Sequence, residues 1–109
     1  MPYFETDLKL EQIPMGESRC VMVGDAQIGL FHLPDGLFAI DNLCPHRGAP
    51  LHEGFVTDNY VTCPWHQWQF QLEDGVCRNI PKVSVSTHSV EVREGAIWIN
   101  LKDQKVENL

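Results

Sequence analysis

The chain has 109 residues, with 15 acidic against 8 basic side chains and a net charge of −7 with histidine neutral. That length supports one domain, residues 1–109, with a modest core, and the acidic balance excludes nucleic acid as a partner because its phosphates would repel the surface. It leaves either plain solubility or electrostatic steering toward a basic protein surface.

Residues 1–5 lack the charged and apolar regions of a secretion signal. No apolar run nears the roughly 20 residues that cross a bilayer. A cytoplasmic protein without membrane contact is therefore expected. Residues 3–8 start a strand, and residues 7–14 hold at most one helical turn, ended by Pro14. Residues 19–23 and 27–33 are rich in apolar and β-branched side chains, and Gly24-Asp25-Ala26 between them predicts a hairpin. Pro34-Asp35-Gly36 is a strong turn signal. Residues 37–41 then form a strand that runs into Cys44. Residues 54–56 and 60–63 flank a turn at 57–59, and the second of these strands runs into Cys63.

Trp68-Gln69-Phe70-Gln71-Leu72 alternates apolar and polar residues, the pattern of a half-buried strand. Residues 73–75 turn it, 76–78 pair back, and 79–82 form a loop. Residues 88–93 and 96–101 make a closing hairpin about Glu94-Gly95, and the polar stretch 102–109 is expected to fray. Short strands with turns every eight to twelve residues or so, and no long amphipathic helix, predict an all-β antiparallel sandwich or barrel. Phe38, Trp68 and Trp98 are expected to fill its core.

Two of these strands deliver two near-identical motifs, Cys44-Pro45-His46 and Cys63-Pro64-Trp65-His66, separated by sixteen residues. Pro45 and Pro64 cannot donate to a sheet ladder, so each opens a loop, about 43–52 and 62–70. Rigid strands set where the loops stand. Each motif pairs one thiol with one imidazole, and the simplest reading is that two loops close on one metal centre from opposite sides. Thiolates suit iron–sulfur clusters, zinc or copper(I), and imidazole suits zinc, copper or iron. Zinc modules commonly group like ligands in Cys-x2-4-Cys and His-x3-5-His pairs. Mixed arms suit a two-iron centre in which two histidines replace two cysteines on one iron. A zinc-stabilised or clusterless binding module stays open, as does a Cys44–Cys63 disulfide, which would leave the matched histidine spacing unexplained. Cys20 and Cys77 are expected to be reduced, buried, small hydrophobes outside the ligand set.

The segments Cys44-Pro-His46-Arg-Gly-Ala-Pro-Leu51 and Cys63-Pro-Trp-His66-Gln-Trp-Gln-Phe70 resemble the two cluster-binding boxes of Rieske iron–sulfur proteins. The strand layout resembles the small Rieske ferredoxins over nearly the whole chain. The resemblance implies a Rieske iron–sulfur fold with a cluster-binding subdomain of two loops, one [2Fe-2S] cluster, and Cys44, His46, Cys63 and His66 as its ligands. Two ferric ions, two sulfides and two thiolates sum to zero, and neutral imidazoles leave that sum unchanged. Such a cluster is easier to reduce than an all-cysteine one.

High-potential members carry an extra cysteine in each box, where this chain has Ala49 and Trp65. They also carry a serine and a tyrosine whose hydroxyls donate to cluster sulfurs, where this chain has Trp68 and Phe70. Fewer such donors imply a potential near the bottom of the roughly −150 to +300 mV Rieske window. With His46 and His66 neutral and protonated on their second nitrogens, the potential is expected to stay flat near neutral pH and to fall at alkaline pH.

Pro45, Arg47, Gly48 and Trp65 flank the ligands, and the resemblance makes them either a docking face for a redox partner or packing around the cluster. Gly48 and Gly54 are expected to serve loop geometry. Pro81 stands where relatives place a third, proline-containing loop. Gln67 stands where the family often has glycine, and His32, His52 and His88 are expected to be structural or solvated. The chain has no Gly-x-Gly-x-x-Gly and is too short for a separate mononuclear-iron domain. The resemblance therefore implies an electron carrier between a reductase and a terminal oxygenase, as in aromatic-ring dioxygenase systems. The alternative is the small subunit of an NAD(P)H-dependent nitrite reductase.

Overall fold

The apolar runs become strands and the Gly- and Asp-containing breaks become turns in the computed structural model, which describes residues 3–45, 48–65 and 67–101. Among these residues the strands are β1 (Phe4–Lys9), β2 (Ser18–Val23), β3 (Ala26–Leu33), β4 (Gly36–Asp41), β5 (Phe55–Thr57), β6 (Tyr60–Thr62), β7 (Gln69–Gln71), β8 (Thr87–Arg93) and β9 (Ala96–Asn100). Two single 3-10 turns, Leu10–Gln12 and Leu51–Glu53, are the helical elements among them. No helix among the described residues is long and apolar enough to cross a membrane.

Six strands form one antiparallel sheet in the order β1-β9-β8-β4-β3-β2, and β1 comes back against β2, so the sheet nearly closes into a barrel. The other three form a small antiparallel sheet, β5-β6-β7. Residues 76–78 do pair back as the sequence predicts, through bridges from Phe70 to Cys77 and from Val76 to Ser84.

The hairpin of β3 and β4 is a wall shared by two cores. Ile28, Leu30, Leu37 and Ala39 point one way, into the barrel core with Ile13, Val21, Val23, Ile97 and Ile99. Phe31, Leu33, Phe38 and Ile40 point the other way, into a second core with Leu51, Val61, Phe70 and Leu72. A strand buried on both faces shows no polar alternation, which is why residues 28–31 read as an unbroken apolar run. Cys44 and Cys63 both lie in the second core. The barrel therefore presses directly on the region that the two motifs occupy.

Three sequence expectations are corrected. Trp98 lies in neither core: the two-residue period of β9 turns Ile97 and Ile99 inward and Trp98 outward, where the Arg93 guanidinium stacks 4.5 Å from its ring. Cys20 is half-buried, because the same period gives the barrel interior to Val21 and Val23. Residues 51–53, expected as loop, form a 3-10 turn that begins after Pro50 and buries Leu51. Phe38 and Trp68 pack against the second core as expected, both half-buried. The stretch 102–109 lies outside the described residues.

Phe31 has no exposed surface and is among the largest side chains of the second core. Phe31→Ala should lower the unfolding free energy by about 3–5 kcal/mol, read by urea denaturation. A loss below 1 kcal/mol or so would mean that the second core is not packed as described.

Candidate metal centre

Both cysteines turn out to close the bases of β-hairpins with the same backbone pattern. In the first, Leu43 bridges Pro50, and the Cys44 N–H donates to the Ala49 carbonyl at 2.8 Å. In the second, Thr62 pairs with Gln69, and the Cys63 N–H donates to the Trp68 carbonyl at 2.7 Å. Each cysteine is thus the last paired residue before a four-residue tip, 45–48 or 64–67. The N–H of each tip's final residue then returns to the cysteine carbonyl, from Gly48 to Cys44 at 2.7 Å and from Gln67 to Cys63 at 3.0 Å. The echo seen in the sequence is therefore an echo of hydrogen bonds.

The final residue of each tip has a left-handed backbone, φ 76° at Gly48 and 62° at Gln67. Glycine adopts this conformation freely, whereas a residue with a Cβ is strained there by about 1–2 kcal/mol. Gln67 therefore keeps the same turn that glycine makes in the first tip, at a cost. Gly54 serves a different need: its backbone is extended, and a side chain there would run into the Thr62 carbonyl of β6.

Cys44 is 1% exposed and Cys63 is fully buried. No disulfide joins any of the four cysteines, so the disulfide reading falls. Two buried, reduced thiols in equivalent turns within one core fit a sulfur-ligated centre held between the loops. His46, Arg47 and His66 lie outside the described residues. Among the described residues, no three His, Cys, Asp or Glu side chains gather into a metal site, so Cys77, although fully buried in the same core, does not join Cys44 and Cys63 in one. Burial pushes the Cys20 thiol up from its ordinary pKa, which disfavours the thiolate that would bind metal.

Pro45, Gly48 and Trp65 are exposed, Trp65 at 59%. Trp68 is half-buried, its ring tilted against that of Phe70 at 6.5 Å. Pro81 is exposed at the tip of a turn closed by the Val83 N–H to the Ile80 carbonyl, 2.8 Å. Ile80 and Val83 rest on the core that holds both cysteines, and the Asn79 side chain accepts from the Gln69 N–H at 2.8 Å. The three spare histidines are structural: His32 Nδ1 meets the Ile13 carbonyl at 2.7 Å, His88 Nε2 meets Asp41 at 2.8 Å, and His52 Nδ1 meets Asn42 at 2.9 Å. Asn42, fully buried two residues before Cys44, was not anticipated from the sequence. The signal that could have marked it is a polar residue set between an apolar strand and a metal motif.

A family model described as the Rieske-like [2Fe-2S] domain matches residues 4–100. The ferredoxin subunit of 3-phenylpropionate/cinnamic acid dioxygenase from Photorhabdus laumondii is 34% identical over 98 residues, 88% of this chain and 92% of that one. Cholesterol 7-desaturase of Drosophila melanogaster is 43% identical over 76 residues, 68% of this chain but only 18% of that much longer protein. Among solved structures, a Mycobacterium tuberculosis protein assigned as an NADH-dependent nitrite reductase small subunit superposes with a TM-score of 0.81 at 30% identity. That match covers 91% of this chain and 96% of the other.

The two tips predict opposite effects of exchanging a hydrogen for a side chain. Gly48→Ala, with open space around the new Cβ, should cost about 1 kcal/mol, and Gln67→Gly should gain about as much. Chemical denaturation of both variants measures this, and equal shifts of the same sign would contradict the matched turns.

Proposed function

Because the chain belongs to the Rieske-like [2Fe-2S] domain family, we propose that it carries single electrons from a reductase to a terminal oxygenase of the aromatic-ring dioxygenase kind. The protein holds one [2Fe-2S] cluster and is a one-electron carrier. The observation that carries this reading is the pair of matched hairpins, each with a buried thiol at the same turn position, within a match to the family that spans residues 4–100.

In this reading Cys44 and Cys63 ligate one iron, and His46 and His66 ligate the other. When bound, the cluster supplies a redox couple that takes up and releases one electron. The chain's own part is to hold and shield. The hairpin bases fix the two thiols, and the second core keeps water from them. Pro45, Gly48 and Trp65, exposed beside the cysteines, together with Arg47, form the docking face for the redox partners. Ile80 and Val83, on either side of Pro81, and Trp68 pack against the core that holds both thiols. Four cysteines without a disulfide suit a reducing cytoplasm, and the acidic surface suits basic partner faces. The 34% identity to a dioxygenase ferredoxin subunit over nearly the whole of both chains supports an oxygenase as acceptor.

The likeness to a protein assigned as a nitrite reductase small subunit favours one second reading, in which the acceptor is a nitrite reductase. Purification from native cells separates the two: co-elution with a large sirohaem subunit supports nitrite reductase, and co-elution with an oxygenase supports the leading reading.

Ala49, Phe70 and Trp68, none with a hydroxyl or thiol, stand where high-potential members place sulfur or hydroxyl groups. The midpoint potential of the purified protein should therefore lie below about 0 mV. An EPR-monitored redox titration measures it. A value near +300 mV or so would contradict the proposed surroundings of the cluster.

A further inference from the structure

The two hairpins are built alike but anchored differently. The base of the second continues into the three-stranded sheet of β5, β6 and β7. The base of the first runs into no regular strand pair: the isolated bridge between Leu43 and Pro50 is followed outward by a single backbone bond between Asn42 and Leu51. Beyond these backbone bonds, the side chain that ties its two limbs together is that of Asn42, which has no exposed surface. Its Oδ1 accepts from the His52 backbone N–H at 2.8 Å. Its Nδ2 donates to His52 Nδ1 at 2.9 Å and to Gln27 Oε1 at 3.3 Å. Its own N–H donates to the Gln27 carbonyl at 2.9 Å, and its carbonyl accepts from the Leu51 N–H at 2.6 Å.

The orientation of the amide follows from chemistry. A backbone N–H only donates, so the atom facing His52 N must be the oxygen. His52 Nδ1 then serves as an acceptor, with the ring proton on Nε2. Every polar atom of Asn42 is satisfied, the condition under which a buried polar network rigidifies a structure. Gly29 on β3 makes the space: a Cβ there would stand 2.6 Å from Asn42 Oδ1. The far end of the turn is tied down as well, since Ser18 Oγ on β2 donates to the His52 carbonyl at 2.7 Å.

We propose that Asn42 is the positioning residue of the first cluster loop. Its amide clips the returning limb of the hairpin, Leu51 and His52, to the outgoing limb that carries Cys44, and to the barrel wall through Gln27. The second loop needs no such clip because a flanking strand does the same work. Asn42 touches no cluster atom in this account. It acts through the spacing of the two limbs, one of which carries Cys44, and the inference rests on the cluster reading above.

The test compares cluster release rather than activity. The wild-type, Asn42→Ala, Gly29→Ala and Ile28→Val proteins are purified with cluster, and loss of the visible band to an iron chelator is timed. Ile28→Val is the control: it thins the barrel core on the opposite face of the same wall. Its expected change is under about twofold, against about tenfold or more for the loss of a buried hydrogen-bonded clip. Gly29→Ala should act in the same direction as Asn42→Ala, because it removes no hydrogen-bonding group and its Cβ crowds the Asn42 amide most closely, with a second, looser contact to the Phe31 ring at 3.1 Å. In the Asn42→Ala background it should add less than in the wild type, because the oxygen at 2.6 Å is gone and the contact to Phe31 at 3.1 Å is what remains. The EPR line shape of the reduced protein should broaden in both variants and not in Ile28→Val. The wild-type spectrum checks the cluster reading, and the comparison between variants checks Asn42. Release from Asn42→Ala at the control's rate would overturn the proposal. If Asn42→Ala does not accumulate folded, Gly29→Ala decides on the same terms.

Discussion

Two backbone hydrogen bonds, Cys44 N–H to Ala49 and Cys63 N–H to Trp68, are the constraint on which the rest depends. Each closes a hairpin at the cysteine itself. The thiol is therefore attached to the last paired residue of a ladder, whose side chain direction the strand pleat fixes, and not to a free loop tip. Pro45, Gly48, Trp65 and Gln67 beside the cysteines are exposed while the thiols are buried. A carrier needs that combination: donors that do not move, beside a surface that a partner can reach.

The barrel supplies none of the four proposed ligands, yet its shape governs the site. The β3–β4 wall gives one face to each core, so packing inside the barrel bears on the residues behind Cys44 and Cys63. The chain leaves β4 at Asp41, and Asp41 and Asn42 are pinned at once by hydrogen bonds to Ser86 and Gln27. The first motif is thereby delivered from a fixed point, two residues before its cysteine. With the cysteines reduced and no disulfide across the loops, stiffness comes from packing and hydrogen bonds, to which a bound cluster adds a cross-link.

Much of this was legible in the sequence, because the signals are local. Turn residues at Gly24-Asp25, Pro34-Asp35 and Glu94-Gly95 fall between strands where expected, with Gly36 opening β4, and a thiol–imidazole pair repeated after sixteen residues has few chemical explanations. What was missed depends on partners distant in sequence or on which face a strand turns inward. Trp98 reads as core by size, but β9 pairs so that its isoleucines face in and the indole faces out under Arg93. Asn42 reads as an ordinary polar residue after a strand. Its partners lie ten and fifteen residues away, and its space comes from a glycine on another strand. The 3-10 turn at Leu51–Glu53 has no capping signal of its own and is held by the same side chain. Gln67 shows the reverse case: the sequence lacks the glycine that the turn favours, and the repeated hydrogen-bond pattern makes the turn nonetheless.

The central claim is that each hairpin gives one sulfur and one nitrogen to a shared pair of irons. Pulsed EPR of the dithionite-reduced protein tests it most directly, because histidine nitrogens bound to the reduced iron couple to the unpaired electron. The account predicts two inequivalent histidine nitrogen couplings, one lost when His46 is replaced and the other when His66 is replaced. A paramagnetic centre without strongly coupled nitrogen, or a protein that holds zinc and gives no signal, would contradict it.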